Sequence, residues 1–590
     1  MSARSKPART GPPAAPPRRR RGGLSPVVWV IAAALLMRLW LLLDVRDAPF
    51  WLTPTVDEIG FIQLAEMLRS GTPLPFGAYY VAPGYAYLLA GILAAGGEPI
   101  WAKYLQLAIG VLNAALVFLL GRRFFGYRAG VAAGLLWAVY PAALFHEVLL
   151  LKPTLTVCCS LVGLACVTRA DGDTRPWRWL VAGMAFGAAS LLRGEMVAVG
   201  LGLAAGDLLA RRRGRPGAAG WPGPVLLVVG LVGVVAVPTV QNLRGCGNLV
   251  PVAYGGGTNF YIGNHDGADG SYLPLRHDRS DVLFEESDAI GLARRAKGGD
   301  LGPAGVSRHW YGEGLGWWVK QPAAAVALTV KKALLVWGRW EGYDVLSLPL
   351  AGRWVLPLRD PVLRPVLLLP LALVGLWVSR RRRELWPLRI FLLVSWLALS
   401  LFFLFERFRL PLTAVALVFT GYLLIAAWDA WRAGRRTSVL LGLAAVAAIA
   451  ALLALPSVQR NEAVLHVNVG NMLLQQGRFE EALAEYRIVQ RRSPSSGRVL
   501  INMANAQWAL GRADEALASL DGALSFLRYE AQRRGRPSVE EMLYCHEMAG
   551  DIQAAAGRAG PAAEHYRAAL VLAPEHPRLK GKLDRVGGGQ

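Results

Sequence analysis

Apolar residues in this chain are clustered into long runs that alternate with shorter polar or basic segments. A helix needs about 20 apolar residues to cross the hydrocarbon core of a bilayer, and most of the runs approach that length. They predict eleven spans, at about residues 24–43, 100–120, 129–145, 149–168, 177–192, 195–210, 222–240, 362–378, 387–404, 410–428 and 437–455. The pattern therefore predicts an all-α, polytopic membrane bundle over residues 24–456.

Two polar segments between the spans are much longer than the other connections, at residues 44–99 and 241–361. The first contains an apolar stretch, Pro83–Ala95, that is too short to cross a bilayer and predicts a helix lying at the membrane surface. The second is rich in Gly, Asn, Asp and Tyr and predicts an interfacial helix from Ala323 to Trp340. Both segments are candidate positions for a site outside the bilayer.

Basic residues gather between the apolar runs, in a chain whose net charge is +23. Such clusters mark cytoplasmic loops, so they orient the bundle with its N-terminus inside and its C-terminus outside. Residues 1–23 are predicted to be a disordered, basic cytoplasmic tail. We expect no nucleic-acid partner, because the charge follows the membrane pattern. The clusters are Arg18–Arg21, Arg122-Arg123, Arg211–Arg213, Arg380–Arg383 and Arg435-Arg436.

The C-terminal part of the chain, residues 460–580, changes to charged, alanine-rich helical sequence that repeats. Small and aromatic residues recur there with the spacing of the 34-residue tetratricopeptide unit. The predicted units cover about residues 463–496, 497–530 and 543–576, with an insertion around residues 534–541. Arrays of this kind bind a protein partner on a concave face, and the alternative is a stabilising cap without a partner.

The first outer segment contains two adjacent acidic residues, Asp57 and Glu58, after Thr55. Thr55 and Glu58 have the spacing of a capping box, which gives Glu58 a structural role at a helix start. Asp57 has no such local role. It either complements the helix dipole or takes part in chemistry, and the sequence leaves both interpretations open.

Several cations lie within or beside the predicted spans, where a charge usually faces a polar cavity or a partner. Arg38 and Lys152 are inside spans, and Glu147 is close enough in sequence to pair with Lys152. Arg193, between two short spans, is a candidate anion-binding residue at the outer face. Its alternative is a positioning role.

Other candidate binding residues lie in the outer segments and at the span ends. Residues 255–264 combine four glycines with Asn259 and Asn264, which permits close backbone approach to a ligand or simply forms a tight turn. Aromatic residues around Pro83-Gly84-Tyr85 suit a stacked sugar or the membrane interface. A divalent metal is left open, with His146, Glu147 and Asp57 as the ligand candidates.

Taken together, these motifs resemble the membrane glycosyltransferases of the C-type fold over about residues 24–430. The nearest families are the dolichyl-phosphate-mannose–protein mannosyltransferases and the bacterial lipid A aminoarabinose transferases. Gln241-Asn242 stands where these families often have Arg-Asn. The motifs that carry the resemblance are Asp57-Glu58, Ala82–Tyr85, Arg122–Gly126, Leu192–Glu195, Tyr261–Asn264 and Glu406–Pro411.

The resemblance implies a sugar donor linked to a polyprenyl phosphate and an acceptor at the outer face, with inversion at the sugar. It implies that Asp57 is the catalytic base and that Glu58 is its acidic neighbour. Cations would hold the phosphate of the leaving group. The candidates for that role are Arg193, Arg407, Arg409, Lys103 and Lys152. The substrate-binding candidates are Tyr85, His146, Glu147, Asn242, Asn259, Tyr261 and Asn264.

Three other functions stay open on the sequence alone. A lipid-linked oligosaccharide polymerase or ligase would depend on outer arginines rather than on Asp57. A transporter would carry charges at mid-span and internal repeats. An assembly scaffold would use the repeats and a bundle without activity. The frequency of Ala, Arg and Gly suggests a bacterial inner membrane, with the repeat domain in the periplasm.

Overall fold

The structure is a computed structural model of the full chain. It describes residues 25–168, 175–212, 222–276, 282–338, 346–359, 363–456, 458, 462–492, 497–534 and 538–587. The predicted disordered tail at 1–23 and part of the predicted insertion at 534–541 lie outside the described residues. The secondary structure over the described ranges is helical, which confirms the predicted all-α class.

A helix lies at each of the eleven predicted span positions, and one of these positions is shared by two helices, α6 and α7. Helix α4 occupies the short apolar stretch before α5. The helices of the N-terminal half are α1 Pro26–Asp44, α2 Pro49–Leu52, α3 Val56–Ser70, α4 Gly84–Ala94, α5 Trp101–Phe125, α6 Tyr127–Ala138, α7 Pro141–Glu147, α8 Pro153–Val167, α9 Trp177–Leu192, α10 Met196–Arg212 and α11 Pro222–Cys246.

The second long polar segment folds into helices rather than an extended loop. Its predicted interfacial helix appears as α15, and the remaining membrane helices follow it. The helices of this part are α12 Gly256–Ile262, α13 Val282–Lys297, α14 Pro303–Lys320, α15 Pro322–Trp337, α16 Leu348–Ala351, α17 Pro365–Val378, α18 Trp386–Leu401, α19 Leu410–Arg432 and α20 Arg436–Ala454.

Within the described residues, six helical stretches are long and apolar enough to cross a membrane: α1, α5, α11, α19, α20 and Arg383–Leu401, which contains α18 and the helical turn before it. Helices α6 and α7 would add a seventh span if they count as one span bent by 52°. Helices α4, α8, α9 and α17 are apolar but shorter. By length and composition, six or seven of the eleven predicted spans are therefore long and apolar enough to cross a membrane.

The two ends of the bundle differ in charge. Helix α5 is 25 residues long, so its ends are about 37 Å apart at 1.5 Å per residue. Near its C-terminal end, Arg382 donates to the Phe124 carbonyl (2.9 Å) and Arg128 pairs with Asp429 (2.8 Å). The basic segments that follow α5, α17 and α19 therefore meet at one end. Lys103, at the other end of α5, lies against the first outer segment.

The C-terminal helices form three antiparallel pairs and a terminal helix. The pairs are α21 Glu462–Gln475 with α22 Phe479–Arg492, α23 Gly497–Ala509 with α24 Ala513–Arg534, and α25 Val539–Ala555 with α26 Ala559–Leu572, and they are followed by α27 Pro577–Gly587. Within the first pair, the Tyr486 ring packs where a side chain at Gly470 would lie, so that an added Cβ would clash with the ring carbons. Small residues thus permit close helix approach, as the repeat pattern predicts.

The first repeat is docked onto the membrane part of the protein. Gln476 Nε2 donates to the Pro49 carbonyl and to Thr53 Oγ1, both at 2.7 Å. Arg353, before α17, pairs with Glu485 of α22 at 2.8 Å. Buried apolar residues of α21 and α22 belong to the same continuous core as those of the bundle. These contacts therefore fix the position of the repeat domain relative to the outer segments.

A histidine pair in the third repeat, in which His546 is the buried member, gives a pH-dependent prediction. Nδ1 of His546 in α25 lies 3.2 Å from Nδ1 of His565 in α26. Burial, together with the charges of His565 and Arg528, lowers the pKa of His546 to about 4, whereas an unfolded histidine titrates near about 6.5. The unfolded state thus binds more protons between these values, so the stability is complete above about pH 6.5 and is lost as the pH falls towards 4.

We expect hydrogen exchange in α25, corrected for intrinsic rates, to accelerate as the pH falls from about 6.5 to 4, with a smaller change in His546→Gln. Helix α23, which contains no histidine, is the internal control. Parallel loss of protection in α23 and α25, unaffected by the substitution, would contradict the assignment to His546.

Candidate active site

A cavity of about 2060 Å³ lies between the outer segments, the link between α18 and α19, and the first two repeats. Its walls combine apolar side chains from the ends of membrane helices with charged and amide side chains from outside the bundle. The polar and charged residues that line it include Asp57, Gln63, Lys152, Arg193, Glu195, Asn259, Asp269, Glu285, Glu286, Arg353, Arg407, His466, Asn468, Asn471, Arg498 and Asn502.

Asp57 lies in this cavity because of how α3 begins. Thr55 and Glu58 form a capping box at the start of the helix, as predicted from their spacing. Asp57 falls between them and pairs through Oδ2 with Arg407 Nη1 at 2.7 Å. Both side chains lie in the cavity wall, with 10% of Asp57 and 15% of Arg407 exposed. The structure thus places together two predicted site residues that are 350 positions apart in the chain.

Two further predicted cations line the same cavity. The Arg193 guanidinium lies 3.9 Å from the centre of the Phe408 ring and pairs with Glu195. Lys152 Nζ is 4.9 Å from the centre of the Phe61 ring. Arg407, Arg193 and Lys152 come from three different parts of the chain, and only the fold makes them neighbours. Their positive charges suit an anionic group such as a phosphate.

Glu285 of α13, an acidic residue that belongs to no recognisable sequence motif, lines another wall of the cavity. It accepts hydrogen bonds from the Tyr80 hydroxyl (2.8 Å) and the Tyr272 hydroxyl (2.6 Å). Burial raises the pKa of Glu285, hydrogen bonds from the two tyrosines oppose the shift, and the charge of Asp57 adds to it. Among the carboxyl groups of the cavity, Glu285 is therefore one whose pKa is raised in part by the charge of Asp57.

Glu58 and Lys103, predicted as catalytic and phosphate-binding residues, are buried outside the cavity. Glu58 accepts from the Thr55 amide (2.6 Å) and from the Leu150 amide, and Lys103 is 3.8 Å from it. Lys103 Nζ also donates to the carbonyls of Phe50 (3.1 Å) and Trp51 (2.7 Å). These contacts tie α3 and α5 to neighbouring segments, so both residues have structural roles in this geometry.

Three predicted substrate-binding residues are likewise buried outside the cavity. The Tyr85 hydroxyl donates to Gln106 Oε1 at 2.8 Å. Glu147 pairs with Arg38 at 2.7 Å rather than with Lys152. His146, next to it, is 5% exposed. His146 and Glu147 belong to α7, all of whose residues are buried, and Tyr85 joins α4 to α5 through Gln106.

The predicted asparagines separate into two groups. Asn259 lines the cavity. Asn242 accepts from the Tyr79 amide (3.0 Å) and donates to the carbonyls of Val250 and Val252. Asn242 therefore fastens the end of α11 to the outer segments instead of contacting the cavity.

The predicted glycine-rich turn is the start of a helix, α12. At its end, Asn264 donates to the Phe260 carbonyl (2.8 Å) and the Leu401 carbonyl (2.6 Å), and its oxygen accepts from Lys332 (3.1 Å). Tyr261 packs against His265 and Trp310. Asn264 and Tyr261 hold α12 in place and do not line the cavity.

Arg409 is also buried rather than in the cavity. Its side chain is 1% exposed, and Nη1 donates to the Gly338 carbonyl at 2.9 Å. The turn at Glu406–Arg409 thus directs Arg407 into the cavity and Arg409 into the bundle. Of the five predicted phosphate-binding cations, the structure brings together Arg407, Arg193 and Lys152.

The three residues considered as metal ligands do not form one site. Asp57 lies in the cavity, whereas His146 and Glu147 are buried elsewhere. Within the described ranges, no group of three or more His, Cys, Asp or Glu side chains could hold a metal ion.

Comparisons with known proteins agree with both halves of the architecture. The family model for dolichyl-phosphate-mannose-protein mannosyltransferases matches residues 80–240, and the tetratricopeptide repeat model matches residues 473–527. These matches confirm the two resemblances that the sequence predicts. No curated protein matches the chain significantly in sequence.

Among solved structures, the apo oligosaccharyltransferase of Archaeoglobus fulgidus is 17% identical, with a TM-score of 0.40. That similarity covers 77% of this chain and 59% of the archaeal one, so the chain spans less than two thirds of that relative. ArnT from Cupriavidus metallidurans, bound to undecaprenyl phosphate, is 18% identical with a TM-score of 0.39, covering 84% of this chain and 76% of ArnT.

Proposed function

We propose that this protein is a membrane glycosyltransferase that moves a sugar from a polyprenyl-phosphate carrier to an acceptor hydroxyl, with inversion and with Asp57 as the general base. The observation that carries the proposal is the contact of Asp57 with Arg407 in a large cavity that also contains Arg193 and Lys152. The mannosyltransferase family match over residues 80–240 supports it.

The cavity suits an amphipathic donor because its apolar wall meets its cationic wall. Ala398 and Leu399, near the end of α18, and Val197 in α10 provide apolar surface beside the cations. A polyprenyl chain would lie along the apolar surface, and its phosphate would lie among Arg407, Arg193 and Lys152. Guanidinium groups bind phosphate through charge-assisted hydrogen bonds, which are about twice as strong as neutral ones.

The reaction requires one displacement at the anomeric carbon. The acceptor oxygen forms a bond to that carbon while the bond from the carbon to the phosphate oxygen breaks. The acceptor proton passes to Asp57, and the electron pair leaves with the phosphate, whose charge the cations hold. A single displacement inverts the anomeric configuration, and it needs no second catalytic carboxylate.

The ion pair between Asp57 and Arg407 links donor binding to the availability of the Asp57 carboxylate. Without donor, Arg407 Nη1 occupies Asp57 Oδ2 at 2.7 Å. A bound phosphate competes for the same guanidinium, so the carboxylate would be released towards the acceptor hydroxyl when the donor is in place. Proton removal from the acceptor would then follow donor binding.

The charge distribution supports an orientation for this site. The basic segments that follow α5, α17 and α19 meet at one end of the bundle. Clusters of basic residues at the ends of membrane helices face the cytoplasm. The cavity and the repeats would then lie outside the cytoplasm. We place the protein in a bacterial inner membrane with its repeats in the periplasm.

Binding of polyprenyl phosphate to purified protein tests the cation assignment. We expect Arg407→Gln, Arg193→Gln and Lys152→Gln each to weaken carrier binding at least about tenfold, because each removes a charge-assisted hydrogen bond worth about 1.5–3 kcal/mol. Arg69→Gln is the matched control, because Arg69 is exposed on α3 and pairs only locally with Glu66. Wild-type affinity in all three cavity variants would contradict the phosphate site.

A further inference from the structure

The repeat domain forms one wall of the cavity rather than standing apart from it. His466, Asn468 and Asn471 of α21 line the cavity together with Arg498 and Asn502 of α23. The hydrogen bonds of Gln476 and the ion pair of Arg353 with Glu485 hold this wall in place. Whatever occupies the concave side of the first two repeats is therefore next to the residues proposed for sugar transfer.

Asparagines recur on this wall in register with the repeats. Asn468 and Asn471 of the first repeat are followed, 34 residues later, by Asn502 and Asn505 of the second. We call these four side chains the asparagine row. Asn502 Nδ2 donates to Asn471 Oδ1 at 2.7 Å, so the row is continuous from one repeat to the next.

The asparagine row leads out of the cavity. Asn502 and Arg498 line the main cavity and also a second depression farther along the repeats. The other residues that line the second depression are Ile501, Asn505, Glu540, Glu541 and Tyr544. A groove therefore runs from the site around Asp57 along the first two repeats, and the asparagine row follows it.

Tyrosine hydroxyls fix the orientation of the row. Tyr486 donates to Asn471 Oδ1 at 2.8 Å, and Tyr544 donates to Asn505 Oδ1 at 2.7 Å. Over the described part of the chain, no hydrogen bond occupies the Nδ2 atoms of Asn471 and Asn505. Their amide donors are thus held at fixed positions for a ligand that offers acceptors in a row.

We propose that this groove binds an extended polypeptide by its main chain and leads it into the cavity. Main-chain carbonyls recur along an extended chain and accept from carboxamide donors without regard to sequence. Apolar lining residues such as Val464, Val499 and Ile501 suit the alternate side chains of the same segment.

A glycan fits the groove less well. Sugar rings are commonly held against exposed aromatic faces, and Tyr544 is the one aromatic ring among the residues of the repeats that line the two depressions, apart from His466. Given the proposed transferase function, on which this inference rests, the acceptor would be a side-chain hydroxyl of the bound segment. That hydroxyl would attack the anomeric carbon and lose its proton to Asp57.

The third repeat supplies a variant that keeps the fold. At the position equivalent to Asn471 it has Asp551, whose carboxylate accepts from the Tyr566 hydroxyl at 2.8 Å. Aspartate therefore satisfies the tyrosine as asparagine does, but it has no amide donor. Asn471→Asp combined with Asn505→Asp removes two donors from the groove and leaves the hydrogen bonds from Tyr486 and Tyr544 in place.

The test is direct binding of a labelled, uncharged peptide to purified protein without donor. The peptide alternates Ser or Thr with Ala or Val over about 12 residues, which spans about 40 Å when extended. We expect wild type to bind it and Asn471→Asp/Asn505→Asp to bind it about tenfold or more weakly. Arg558→Ala, which removes an exposed ion pair between the residue before α26 and Asp514 of α24, should bind as wild type does.

Equal peptide affinity in wild type and the double variant would overturn the proposal, as would binding of a neutral glucan oligosaccharide in preference to the peptide. Asn502→Ala is a second variant, for use if the double substitution lowers the yield of folded protein. Carrier binding measured on the same samples keeps this test separate from the transferase proposal, because neither Asn471 nor Asn505 is among the cations proposed to hold the phosphate.

Discussion

Replacing Asp57 by asparagine is expected to lower sugar transfer by about 10² to 10⁴-fold, the range that a general base contributes. The substitution keeps the size of the side chain and removes the proton-accepting carboxylate. It also removes the ion pair with Arg407, which leaves that guanidinium to the donor phosphate. Affinity for the polyprenyl-phosphate carrier should therefore stay the same or increase while turnover falls.

Glu66→Gln is the matched control for this substitution. Glu66 lies on the same helix, α3, and is exposed in an ion pair with Arg69. We expect turnover and carrier binding of this variant to match wild type. Wild-type turnover in Asp57→Asn would remove Asp57 from the reaction and favour the polymerase or ligase alternative, which does not depend on it.

Glu147→Ala is expected to lower the free energy of unfolding by about 3–5 kcal/mol, because it leaves Arg38 as an unpaired buried charge. The pair is 1–4% exposed, and Arg38 Nε donates to Glu147 Oε2 at 3.0 Å in addition to the contact with Oε1. Gly110 makes room for this carboxylate, since an ideal Cβ there would lie 2.2 Å from Glu147 Oε1. Turnover per folded molecule should stay near the wild-type value.

Thermal unfolding of purified protein in detergent measures the stability loss. Arg38→Met combined with Glu147→Leu should recover most of it, because replacing both members of a buried pair by apolar residues is often neutral or stabilising. A Glu147→Ala protein that is as stable as wild type but binds substrate poorly would return Glu147 to the site, where the sequence interpretation placed it.

Much of the architecture follows from local sequence signals. The apolar runs gave the positions of the membrane helices, and the capping box gave the start of α3 from the spacing of Thr55 and Glu58. The same spacing gives Glu58 a structural role, because the residue that closes a capping box accepts from the amide at the helix start. The second oxygen of Glu58 accepts from the Leu150 amide, 92 residues away, which spacing could not show. Asp57 was then the residue without a local role.

Pairings across long sequence distances could not be predicted from composition or spacing. Glu147 was expected near Lys152 because they are close in sequence, but the bend between α6 and α7 carries it to Arg38, 109 residues away. Arg407 and Arg409 are two positions apart, and only the short turn between α18 and α19 determines which one enters the cavity. No motif near Glu285 in the sequence identifies it as a residue of the site.

The asparagine row is present in the sequence, but the tetratricopeptide pattern does not identify it. The tetratricopeptide pattern is defined by small and aromatic residues that pack between helices, so it does not register polar positions on the exposed face. Asn468 and Asn471 recur 34 residues later, and that recurrence is visible without a structure. The docking of the repeats onto Pro49 and Thr53 is what connects the row to the cavity.

Sugar transfer by purified wild-type protein from a panel of radiolabelled donors tests the central claim most directly. The panel pairs each sugar with a polyprenyl monophosphate, a polyprenyl pyrophosphate or a nucleotide, and membrane extract supplies the acceptor. We predict transfer from at least one polyprenyl-monophosphate sugar, loss of that transfer in Asp57→Asn, and inversion at the anomeric carbon of the product. Transfer only from pyrophosphate-linked oligosaccharides, or transfer from a monophosphate donor that Asp57→Asn carries out as well as wild type, would contradict the account.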